Sequence, residues 1–124
     1  MDIRAKILSM DDRKTEVVHV PEWGVDVYVC TLTARDKTAL QKHILKYEEL
    51  PDDYFARIVY MCACDESGVR IFTEKDIAEL QDKSATAVSR IAEVAMSLSK
   101  MNESPEALAE KNSETNQDGS PSTD

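Results

Sequence analysis

The chain has 124 residues, room for one domain and little more when domains run to roughly 100–200 residues. Acidic residues number 24 against 15 basic ones for a net charge of −9, and residues 102–124 hold Glu103, Glu106, Glu110, Glu114, Asp118 and Asp124 against Lys111 alone. That balance argues against nucleic-acid or anionic-membrane binding, which needs clustered Lys and Arg, and no apolar run approaches the roughly 18–20 residues of a membrane span.

In chain order, Ile3 and Ile7 lie four apart in DIRAKILS, which suits a short helix over 2–9. Glu16–Val20 and Val25–Leu32 are rich in β-branched residues and bracket Pro21-Glu22-Trp23-Gly24, predicting a β-hairpin whose Val25, Val27 and Val29 face the core. Thr33-x-x-Asp36 has the form of a capping box, opening a helix through Leu40, Ile44 and Tyr47 that Pro51 stops. Tyr54–Cys64 is the most apolar stretch. Its stripe of Phe55, Ile58, Val59 and Cys62, widened by Tyr54 and Met61, predicts a central helix.

Asp65–Gly68 is a turn, and Val69–Phe72 alternates as one short strand that can join the hairpin. Thr73-x-x-Asp76 is a second capping box, leading through Ile77 and Leu80. Ser84 caps a longer helix with Val88, Ile91, Ala95 and Leu98 on one stripe and Ala87, Val94 and Met101 alongside, an apolar arc wider than one neighbour needs. The outcome is an α+β class chain: a mainly helical single domain over 1–101 with a small antiparallel sheet, the N-terminal hairpin plus one short strand. From Asn102 the composition turns to Ser, Thr, Asn, Glu and Pro, too poor in apolar residues to offset the entropy of ordering, so 102–124 is expected to be a disordered acidic tail.

Three cysteines form no regular framework, and no charged-then-apolar leader is visible, which points to a reducing cytoplasm. Cys62-Ala63-Cys64, with His43, His19 or Asp65, invites a metal. Residues two apart on a helix point about 200° apart, however, so the two sulfurs converge only if the helix ends between them, and small buried hydrophobes are the better account. Cys30 with a histidine lacks any local signature of a nucleophile, the three glycines at 24, 68 and 119 make no phosphate loop, and Glu48-Glu49 and Asp52-Asp53 suit solvated helix ends. No catalytic residue, metal ligand or cofactor is assigned.

Binding features stand out more. Trp23 at the hairpin tip either anchors a partner or folds back onto the sheet. Arg35, Lys37, Lys42 and Lys46 form a basic face that suits solvent or an acidic partner. The outer arc Ala87, Val94 and Met101 is the other candidate for partner binding, self-association included.

Val20-Pro21-Glu22-Trp23-Gly24 with its Val/Tyr strand, the Cys64-Asp65-Glu66-x-Gly68 turn, Ile71-Phe72-Thr73-x-x-Asp76 and Leu80-x-x-Lys83-Ser84 together resemble the tail assembly chaperones of long-tailed bacteriophages, over roughly residues 2–113. The resemblance implies a non-enzymatic protein of the host cell cytoplasm, absent from the mature virion, that self-associates and holds the tape measure protein in solution. It also implies a longer product, made by a ribosomal slip, that recruits the major tail protein. Glu110-Lys111-Asn112 can be encoded by GAA-AAA-AAC or GAA-AAA-AAT, which contains a slippery heptamer in the −1 phase. A small cytoplasmic adaptor binding through the Trp23 hairpin is the alternative.

Overall fold

A computed structural model describes residues 2–100. Met101, the acidic segment 102–124 and Glu110-Lys111-Asn112 lie outside the described residues. Helices α1 (Ile3–Ser9), α2 (Ala34–Ile44), α3 (Tyr54–Cys62), α4 (Ile77–Gln81) and α5 (Ala85–Leu98) accompany strands β1 (Thr15–Val20), β2 (Val25–Cys30) and β3 (Ala63–Cys64). The strands form one antiparallel sheet in the order β1-β2-β3.

The hairpin forms as its sequence predicts. Gly24 closes the loop at φ 66°, donating its amide to the Val20 carbonyl at 2.9 Å, in the left-handed region that glycine occupies without steric cost. Register pairs Val18 with Val27 and Val20 with Val25. Of the three valines expected inside on β2, Val27 and Val29 are buried, whereas Val25 beside the loop stays half exposed.

α3 and α5 pack on each other, and α5 also lies against β1 and β2. Ile58, Val59 and Cys62 of α3 and Ala87, Ile91, Ala92 and Ala95 of α5 have no exposed surface, and they join Val20 and Val29 in one cluster. The wide apolar arc of α5 is therefore largely spent within its own chain, on two neighbours rather than one. Phe55, expected on the buried stripe of α3, is 40% exposed.

Three boundaries differ from expectation. α2 ends at Ile44, so Tyr47 lies beyond the helix in a connection where Leu45, Tyr47 and Leu50 are exposed and offer no buried face to prolong it. α3 ends at Cys62, and Ala63–Cys64 turns at once into the third strand, pairing with Val29 and Tyr28. Residues 69–72 supply only a single bridge, Arg70 to Cys64, in place of the expected strand. The caps are as expected at Thr33, which accepts from the Asp36 amide, at Ser84, which accepts from the Ala87 amide, and in the reciprocal box of Thr73 and Asp76. The Asp36 carboxylate is taken instead by Arg70 at 2.8 Å.

Candidate functional site

The cysteines come together in a way that spacing does not reveal. Because α3 ends at Cys62, Cys64 enters the sheet and its sulfur pairs with that of Cys30 as a disulfide between β2 and β3, with Cα atoms 6.8 Å apart. Cys62 remains as the free thiol, fully buried. Burial, helped by the Asp36 charge, pushes its pKa up to about 12 against the opposing influence of Arg13 and Arg70. A thiol so placed carries almost no thiolate and makes a poor nucleophile. Alkylation with iodoacetamide at pH 8 is expected to spare Cys62 in the folded protein and to label it in urea; rapid labelling of the native chain would contradict this burial.

The histidines are each committed to a carboxylate. His19 faces Asp26 across the hairpin, 2.7 Å apart and exposed, as the β1–β2 register dictates. His43, at the end of α2, lies 2.9 Å from Asp53 Oδ1, while Arg57 donates to Asp53 Oδ2 at 3.0 Å from one turn further along α3. These three side chains are only 15–19% exposed. Burial works to raise the Asp53 pKa, but the hydrogen bonds and charges of His43 and Arg57 outweigh it and hold the carboxyl below its ordinary range. The network locks the start of α3 to the end of α2. Among the described residues, no group of three or more His, Cys, Asp or Glu side chains is placed to hold a metal ion.

The binding candidates separate. Trp23 packs partly buried against the core, and its neighbour Glu22 pairs with Arg90 of α5 at 3.1 Å, fastening the hairpin tip to that helix. The Glu22 carboxyl is lowered by a hydrogen bond from its own backbone amide and, against some desolvation, by Arg90. Ala87 is fully buried and so cannot serve on an outer face, a correction to the expected arc; Val94 is partly buried on the core.

Exposed apolar surface lies elsewhere. Eight of the twelve large exposed hydrophobic side chains among the described residues belong to two places. The first is α1 and its end, with Ile3, Ile7, Leu8 and Met10, where no helical residue is buried. The second is the α2–α3 connection with the start of α3, where Leu45, Tyr47, Leu50 and Phe55 are exposed. That connection lines a hollow of about 600 Å³ between Tyr47, Leu50 and Gln81, and a smaller one of about 210 Å³ adjoins it at Asp52 and Gln81 and reaches Phe55 and Val88. No described helix is long and apolar enough to cross a membrane.

No protein-family model matches this chain, and no curated protein matches it. Among solved structures it is similar to the tail assembly chaperone of bacteriophage HK97, with a TM-score of 0.60 over 79% of this chain and 95% of that one, at 20% sequence identity. Helices around a small antiparallel sheet, fastened at α2–α3 and at the hairpin tip, are thus the fold of a phage tail assembly chaperone.

Proposed function

We propose that this chain is a bacteriophage tail assembly chaperone that binds the tape measure protein and keeps it soluble in the host cell cytoplasm while the tail is built, without catalysing a reaction and without entering the mature virion. The observation that carries this reading is the likeness to the HK97 chaperone across nearly all of that chain. The chemistry is compatible with it. A long helical client with apolar stripes aggregates unless those stripes are covered, and a small chain presenting apolar side chains beside many charges covers them while remaining dispersed. The compartment would hold Cys30 and Cys64 as thiols, and both are buried, with Cys64 Sγ 3.4 Å from the Tyr28 carbonyl to which a thiol donates.

The same reading assigns a domain over 1–101 and a separate acidic segment over 102–124, self-association of the chain, and a longer product formed by a slip at Glu110-Lys111-Asn112 that brings the major tail protein. A Lys111 codon of AAG excludes the slip. The adaptor alternative relied on Trp23 projecting as an anchor, and that side chain packs on the core instead.

In host cells producing tails, the tagged chain is expected to retain the tape measure protein, identified by mass spectrometry, and purified virions are expected to lack the chain. Retention of other proteins but not of a tape measure protein made in the same cells would overturn the assignment.

A further inference from the structure

The two exposed apolar patches differ in charge. On α1, Ile3, Ile7 and Leu8 fall within about 140° of the helix circumference at 100° per residue, with Arg4 between them and Lys6 at the border. The helix Ile3–Ser9 has two cations and no anion. Around the hollow, Tyr47, Leu50 and Phe55 are accompanied by Glu48, Glu49 and Asp52 against Lys46 and, in the adjoining hollow, Lys83. Both patches are uncovered in the same chain: Ile3, Ile7 and Leu8 are 57–76% exposed, and Tyr47 and Leu50 are 51% and 56% exposed.

We infer that α1 of one copy docks in the acid-rimmed hollow at the α2–α3 connection of a second copy, with Ile3, Ile7 and Leu8 against Tyr47, Leu50 and Phe55 and with Arg4 and Lys6 facing Glu48, Glu49 and Asp52. This rests on the self-association part of the proposed function and names its two surfaces. The occupant is another copy because the chain itself carries a cationic apolar helix and an anionic apolar hollow, each leaving the other unmet within one molecule. The contact joins unlike surfaces, so each copy keeps one free helix and one free hollow after pairing. Assembly therefore continues past the dimer, into a ring or an open filament according to the angle between copies. The His43–Asp53–Arg57 network lies immediately behind the hollow and holds its walls in place.

Sedimentation equilibrium of the full chain tests this. The unaltered protein is expected to grow in mass with concentration beyond a dimer. Ile7→Asp and Leu50→Asp change exposed positions outside the core, so the fold, checked by circular dichroism and melting, is expected to persist. Each change is expected to weaken association by roughly 10- to 100-fold, from removing one large apolar contact. An equimolar mixture of the two variants is expected to give a dimer and nothing larger, since Ile7→Asp retains a working hollow and Leu50→Asp a working helix. The inference is overturned if the unaltered chain stays monomeric, if either variant assembles like it, or if the mixture remains monomeric. It is equally overturned if Ile7→Asp abolishes retention of the tape measure protein while leaving the mass unchanged, because the helix then serves the client. A monomeric chain that still retains the tape measure protein overturns the inference and leaves the chaperone assignment standing.

Discussion

Replacing Ile91 by Ala is expected to remove about 3 kcal/mol of stability, within the range of roughly 2–5 found for truncating a large buried aliphatic side chain. Ile91 has no exposed surface and lies in the cluster where α5 meets α3 and the sheet, among Ile58, Val59, Val20 and Val29. The loss combines the transfer energy of the deleted carbons with the cavity left behind, since two helices and a sheet cannot all collapse into the gap at once. For a domain of this size about 3 kcal/mol corresponds to a fall in melting temperature of roughly 15 °C, and it is a large share of the 5–15 kcal/mol a domain commonly holds. Ile3→Ala is the matched control. That isoleucine is 76% exposed, so the same deletion is expected to change stability by less than about 0.5 kcal/mol. Thermal or urea unfolding reads both, and equal effects at the two positions would contradict the packing of α5.

The second large effect is expected at Asp53. Asn in its place keeps the shape and loses the charge, leaving Arg57, 16% exposed, with Glu74 at 3.6 Å as its ion-pair partner; Arg57 Nε already has no hydrogen-bond partner among the described residues. Charge-assisted hydrogen bonds contribute roughly 1.5–3 kcal/mol, so a loss near 2 kcal/mol at pH 7 is expected. The pH dependence gives the sharper test. The folded pKa of Asp53 lies below its unfolded value, so the carboxylate stabilises the fold fully above the unfolded pKa, near 3.9, and that contribution is lost as pH falls through the folded value. The difference between the native chain and Asp53→Asn is therefore expected to be largest at neutral pH and to close below about pH 4. A difference that stays constant from pH 7 to pH 3 would show that Asp53 does not act through its charge.

These two sites also mark what the sequence discloses and what it does not. The buried faces of α3 and α5 are legible because their apolar residues recur at steps of three and four, which only a helix places on one side. The hairpin is legible because Pro21 and Gly24 fix the corners between two β-branched runs. Width is visible but its use is not: the arc of α5 suggests a surface for partners, whereas α3 and the sheet absorb Ala87, Ile91 and Ala95 within the chain.

The remaining errors arise where a long-range contact overrides a local pattern. Nothing in Cys62-Ala63-Cys64 announces the end of a helix; the chain turns because Ala63 and Cys64 pair with Val29 and Tyr28, far away in sequence. Tyr47 continues the period of α2, but residues 45–50 have no neighbour to pack on, and periodicity alone does not sustain a helix in water. The Asp53–Arg57 pair could be anticipated from its spacing of four on a helix. His43 joins it only through the packing of α2 on α3, and Arg70 reaches Asp36 across 34 residues by the same kind of tertiary accident. The two exposed apolar patches were within reach of the sequence, in Ile3, Ile7 and Leu8 and in Tyr47 and Leu50; what was missing was their exposure.

The account stands or falls on the client. Co-expression of this chain with the tape measure protein of its own phage, followed by centrifugation and quantitation of the soluble fraction, measures that directly. The account predicts a tape measure protein that is insoluble alone and soluble with the chain, the two co-migrating on size exclusion. A tape measure protein equally insoluble with and without the chain would contradict it.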